Sequence, residues 1–241
     1  MGTLDKLLRK VSARIAEPSS ASAAAATAPV DAEEEGRLRG VLREDPNDVP
    51  AFVRLADIVR RNAGETHAEG DPQRAADDAV WALAEELSHS GRAWFPLIEI
   101  ARLSVHDDRD VALRRLSTAA ERDPSGQALA TGVQMLREAG LPDEALGLGV
   151  GHWRPREHVV EAGRQVVEAA VDAGRSADAR RHLEILLDHP DVARMPRQRR
   201  DLEHRVTELE QLRSGGIPVV DLRDAEEATT VTGLRRVFRR R

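Results

Sequence analysis

The 241 residues include no cysteine and no tyrosine, and aromatic residues make up only 2%. Without cysteine, disulfides, thiolate metal sites and a cysteine nucleophile are excluded. With so few aromatics, any core must be assembled from Ala, Leu, Val and Ile. Alanine and leucine are strong helix formers, whereas sheets draw on β-branched and aromatic side chains. An all-α chain is expected. No run approaches the roughly 18 consecutive apolar residues of a membrane span. The first residues lack the apolar stretch and cleavage site of a secretory signal, so a cytoplasmic location is expected.

Catalytic signatures are also missing. "GLGVG" (147–151) has no following lysine and sits in helical context, so it does not read as a phosphate loop. No serine has the surroundings of an activated nucleophile. Glu85 and His89 stand at i, i+4, a spacing that serves metal ligands but more often makes a surface hydrogen bond. "HDDRD" (106–110) lies at a turn, where helix capping explains its acids better than cation binding. The three tryptophans, Trp81, Trp94 and Trp153, read as packing residues. A non-enzymatic protein with no metal and no cofactor is expected.

What the chain does have is a divided charge. Lys6, Arg9, Lys10 and Arg14 against Asp5 give residues 1–16 a charge of +3, and the five arginines of residues 233–241 give +5. The net charge of −6 then leaves −14 for the remainder. In the first segment Leu4, Leu7, Leu8, Val11 and Ile15 share one helical face with cations on the others. Such a basic amphipathic helix suits the inner face of an anionic membrane, or a protein partner. The tail "GLRRVFRRR", with Leu234, Val237 and Phe238 among its arginines, is a shorter version of the same membrane-binding pattern. It also offers an alternative, association with nucleic acid, which the acidic body and the lack of tyrosine platforms disfavour. Thr229, Thr230 and Thr232 lie between an acidic and a basic run and are candidate phosphorylation sites.

Residues 17–31, rich in Ser, Ala and Pro, have little to bury and read as a flexible linker. From there the periodicity predicts short amphipathic helices over 32–44, 48–63, 72–89, 92–104, 108–122, 126–139, 142–149, 156–173, 176–188 and 197–213. Pro46, Pro124 and Pro190 stop helices, and Asp71-Pro72 starts one. Gly64, Gly91, Gly140 and Gly174 stand where helices should end. Residues 214–241 read as an exposed tail.

The helices recur in pairs. "REAGLPDEALGLG" (137–149) returns as "VDAGRSADARRHL" (171–183), with Gly140 and Gly174, and Ala145 and Ala179, each 34 residues apart. One unit supplies Trp94, Leu97, Ala101, Ala112, Leu116, Ala119 and Pro124; the next supplies Leu136, Gly140 and Ala145. The last supplies Val166, Ala170, Gly174, Ala179, Leu183, Leu186 and Pro190. An earlier unit with Phe52, Leu55, Ala56 and Val59 is interrupted by "ETHAEGD" (65–71).

Over residues 32–213 this pattern resembles the tetratricopeptide repeat family, as about four degenerate units. Gly132 replaces a large residue, and "ALGLGVG" (145–151) makes a poor second helix. An unrelated array of helical pairs is the structural alternative. The resemblance implies a right-handed α-solenoid of helix-turn-helix repeats, capped by the helix carrying Leu202, Val206, Leu209 and Leu212. It also implies a scaffold or adaptor that binds protein segments in a groove lined by the first helix of each unit. Transferring the pattern places Val53, Asp57 and Arg60 there, followed by Phe95, Glu99 and Arg102. Ala130, Gln134 and Arg137 come next, then Arg164 and Glu168. Arg60, Arg102 and Arg137 at equivalent places form an expected ladder for a partner's carboxylates. Asp57–Arg60 and Glu99–Arg102 are also i, i+3 pairs that can satisfy one another. The family's carboxylate clamp uses asparagines, and only Asn47 and Asn62 occur here.

Overall fold

The computed structural model describes residues 20–66 and 71–215, with the side chains of 20–30 excepted. The described residues are all-helical and contain no strand. In chain order the helices are α1 (Ser20–Glu44), α2 (Val49–Thr66), α3 (Pro72–Ser88), α4 (Phe95–Ser104) and α5 (Arg109–Arg122). There follow α6 (Gln127–Glu138), α7 (Pro142–His152), α8 (Val160–Asp172), α9 (Ser176–Leu187) and α10 (Pro196–Arg213), with a 3-10 turn (Val192–Arg194) before the last.

Local chemistry sets the ends. Asp71 caps α3, its carboxylate accepting the Arg74 N–H at 3.0 Å with Pro72 in the first turn. Asp108 caps α5 in the same way through Val111, so the turn acid of "HDDRD" serves a helix terminus. Gly140 and Gly174 adopt φ of +75° and +68°, the left-handed region that glycine enters without a Cβ penalty. Each completes a paired C-cap. Leu141 N–H reaches Leu136 O (2.9 Å) and Gly140 N–H reaches Arg137 O (3.0 Å). Arg175 to Ala170 (2.8 Å) and Gly174 to Val171 (2.9 Å) repeat it 34 residues later. The repeated Ala-Gly is thus a repeated helix stop.

Three expectations differ from the structure. The stretch read as a flexible linker is helical from Ser20 onward, continuous with α1. Its alanines have the highest helix propensity and outweigh the loss of one backbone bond at Pro29. Gly64 lies inside α2 rather than at its end. Helix α7 continues to His152 despite its glycines, and α8 begins only at Val160.

The core runs through every helix. Leu38, Phe52, Leu55, Leu97, Ile98, Leu116, Leu129, Leu136, Leu146 and Leu183 are essentially inaccessible, with alanines between them. Leu202 and Val206 bury the first half of the α10 face, while Leu212 is exposed. All substantial contacts between α-helices join helices one or two apart in order: each consecutive pair, and also α4 with α6, α5 with α7, α6 with α8, and α8 with α10.

Small residues permit this stacking. A Cβ on Gly132 would lie 3.2 Å from Leu116, so a large side chain has no room there. On Gly163 it would lie 2.6 Å from the Trp153 ring and 2.8 Å from Leu186. Gly147, by contrast, has nothing within 4 Å of an added methyl. We therefore expect Gly163→Ala to cost about 1–3 kcal/mol by overpacking. Gly147→Ala should stabilise by up to about 1 kcal/mol through helix propensity alone. Urea unfolding of the two variants beside the parent measures both.

Candidate functional site

Polar contacts connect successive turns along one edge. Asn47, in the α1–α2 turn, accepts the N–H groups of Trp94 (2.8 Å) and Phe95 (3.0 Å) and donates to Arg92 O (2.9 Å). Arg122, at the end of α5, donates to the carbonyls of Ser88, Ser90 and Ala93 at 2.8–3.1 Å. In the α5–α6 turn the buried Asp123 accepts from Ser125 and Ala128, and Ser125 O receives the Val159 N–H at 2.8 Å. His189 Nε2 donates to His158 O at 3.0 Å, joining the next turn.

The expected groove residues fall into three groups. Arg60 and Arg102 are exposed, each with one i, i+3 partner: Asp57 at 3.4 Å and Glu99 at 3.3 Å. Val53 is exposed beside them. Phe95 does not line an open face; it is buried, edge-on to Phe52 at 5.3 Å and to Trp94 at 5.8 Å. Asn47 holds its backbone at the first turn of α4, which directs the ring inward. Ala130 is buried as well.

Arg137 and Arg164 form the third group, and both are consumed internally. Arg137 donates to Asp172 (2.7 Å), Gln165 (2.6 Å) and Glu168; Arg164 donates to Glu161 and Glu168. Arg205 from α10 joins at Asp172, 2.9 Å. Burial pushes the Glu161 carboxyl up, but hydrogen bonds from Arg164 and Gln165 outweigh it and hold it below the usual range. The same Glu161 bond raises the Arg164 guanidinium above its ordinary value. Charge-assisted bonds in a half-buried setting make this network a clasp between α6, α8 and α10. The expected ladder of Arg60, Arg102 and Arg137 therefore reduces to two open cations, Arg60 and Arg102. Glu168, central to the clasp, was placed in the groove by the repeat pattern, but its pairing with Arg137, Arg164 and, at 3.9 Å, Arg205 was not legible.

Elsewhere the polar residues serve structure. Glu85 pairs with Arg115 at 2.6 Å, and His89 faces the Glu86 carbonyl at 3.1 Å. Among the described residues no group of three His, Asp or Glu side chains is placed to hold a metal ion, and no helix is long and apolar enough to cross a membrane. The anchoring residues Leu4, Lys6, Leu7, Leu8, Arg9, Lys10, Val11, Arg14 and Ile15 lie outside the described residues. So do Thr229, Thr230 and Thr232.

Two buried imidazoles titrate abnormally. Burial, aided by Arg154, holds His158 below 6.5, and its Nδ1 accepts the Arg154 N–H. Burial, aided by Arg181, does the same to His182, whose Nδ1 has no partner and whose ring meets Trp153 edge-on at 5.9 Å.

Two outcomes follow from these contacts. Glu168→Ala removes the carboxylate shared by two half-buried guanidiniums, which keep Asp172, Gln165 and Glu161, and should cost about 2 kcal/mol. Asp57→Ala, at an exposed pair, should cost under about 0.5 kcal/mol in the same urea titration. For the histidines, the unfolded chain takes up protons below about pH 6.5 before the folded chain does. Stability is therefore full above that pH and falls on acidification. Thermal melts between about pH 7.5 and 5 should show this fall, made shallower by His182→Leu. No family model, curated protein or solved structure matches the chain.

Proposed function

We propose that the chain is a non-enzymatic, cytoplasmic helical-repeat adaptor whose body is a right-handed solenoid of tetratricopeptide-like pairs. One observation carries the reading: polar contacts recur at the repeat interval. Arg122–Ser88 spans 34 residues, Arg109–Glu144, Ser117–His152 and Arg137–Asp172 each span 35, and Val159 reaches Ser125 across 34. Units that touch mainly their neighbours build an extended surface rather than one closed pocket, and extended surfaces suit protein segments.

The binding face is assigned to α2 and α4, where Val53, Arg60 and Arg102 are exposed and lightly paired. Its partner is an acidic segment in extended or helical form, because a guanidinium with one 3.3–3.4 Å i, i+3 contact keeps donors free to fork onto a further carboxylate. The α6–α8 part of the face is already filled by its own carboxylates.

A peptide array spanning acidic, neutral and basic 15-residue segments tests this. Acidic segments should be retained at low salt, and Arg60→Glu with Arg102→Glu should weaken them at least about tenfold, the effect of losing two charge-assisted contacts. Retention indifferent to that double substitution, or no retention of any segment, would refute the reading.

A further inference from the structure

A groove of about 810 Å³ opens between α3 and the α4–α5 turn, with Trp81 and Leu103 among its lining. Its rim is acidic: Asp71, Asp77 and Asp78 from one side and Asp107 and Asp108 from the other. Arg74 is the cation among these lining residues, leaving a net of −4.

Helix capping accounts for Asp71 and Asp108, which hold backbone N–H groups. It does not account for the rest. Asp77 accepts only from the Gln73 amide, at 3.2 Å. Among the described residues no ion pair reaches any of the five, although arginine–carboxylate pairs lace the surface from α1 to α10. Five like charges gathered around a single arginine repel one another, and a further cation relieves this.

The chain carries that counter-charge. "GLRRVFRRR" (233–241) bears +5 with Leu234, Val237 and Phe238 among its arginines. Guanidiniums fork onto carboxylates and stack on an indole face, and Trp81 is half-buried at the groove. The apolar lining is small, two side chains, which suits an arginine-rich segment better than the long leucine face of residues 1–16.

Reach is sufficient as well. The turns tied together by Asn47, Arg122, Ser125 and His189 define one edge, so the α2–α3 and α4–α5 turns lie at the other. Helix α10 runs back toward that second edge: Arg205 meets Asp172 at the end of α8, and Glu210 meets Arg180 near the start of α9. Neighbouring helix axes lie about 8–10 Å apart, so three steps from α10 to α4 amount to roughly 30 Å. The 18 residues between Gly215 and Leu234 extend to roughly 60 Å.

We propose that this groove is the docking site of the chain's own C-terminal segment, residues 233–241. Docking withdraws the five arginines from any other anionic surface, and a competing polyanion or raised salt releases them. The proposal is independent of the adaptor reading, because it concerns the opposite charge on a different surface.

The absence of cysteine permits clean labelling of the full chain. Nitroxides on Gln73→Cys and on a cysteine appended after Arg241 should give a short, narrow distance population by pulsed electron resonance. Asp77→Asn, Asp78→Asn and Asp107→Asn together should abolish it, with both capping aspartates retained and circular dichroism reporting the fold. Arg235→Glu, Arg236→Glu and Arg239→Glu should abolish it from the tail side, without touching the body. Dilution with excess unlabelled chain should leave it unchanged. A distance indifferent to these charge substitutions overturns the proposal. So does loss on dilution, which would make the occupant a second copy. A short population appearing instead from a label at Gly2→Cys would assign the groove to the N-terminal segment and overturn it equally.

Discussion

Everything in this architecture depends on turns that satisfy one another's backbone groups across neighbouring helices. A helix end leaves carbonyls without intrahelical partners, and short helices multiply such ends. The α3–α4 turn presents the carbonyls of Ser88, Ser90 and Ala93, and one guanidinium from the end of α5, Arg122, donates to all three. Asn47 treats the other side of the same turn, taking two N–H groups and giving one. These bonds fix the offset between neighbouring pairs. The apolar faces then meet in one register, because a slide along the stack would strand several buried polar groups together.

Given that register, an aromatic-poor core follows as a packing solution. Helices that approach closely need small side chains at the crossing, and alanine, with glycine at 132, 149 and 163, provides them. The Gly163 contact with Trp153 shows the reciprocal arrangement: one large ring fills the space that a missing methyl leaves. Interior glycines weaken an isolated helix, so α7 owes its length to neighbours on both sides rather than to its own propensity.

Helix existence and most helix ends were legible because their determinants are local. Asp71-Pro72, Asp108, Gly140 and Gly174 each act within a few residues of where they stand. The partner of Arg137 was not legible for the opposite reason: Gln165, Glu168 and Asp172 lie 28 to 35 residues away and become neighbours only once α6 and α8 stack. Phe95 was misplaced on the same ground, since its inward turn depends on Asn47, 48 residues earlier. The helix from Ser20 was not legible because low complexity masks alanine's helix propensity. The acidic groove escaped notice since its two rims are separated in sequence by most of α3 and all of α4.

Charge is distributed over the body according to what each surface must do. Where α6, α8 and α10 meet, Glu168 is shared by Arg137 and Arg164, and Asp172 by Arg137 and Arg205; such a network is closed, its groups unable to leave without stranding one another. Between α2 and α5 the accounting is open. Arg60 and Arg102 hold single, long contacts on one face, and among the described residues the groove aspartates hold no ion pair. Open charges add little to stability in water, because solvent screens them. A stable fold therefore does not require them, whereas recognition does: only a group not already bonded at home can gain by bonding elsewhere. The clasped end of the molecule supplies rigidity, and the open end is where an oppositely charged chain, foreign or its own, has something to gain.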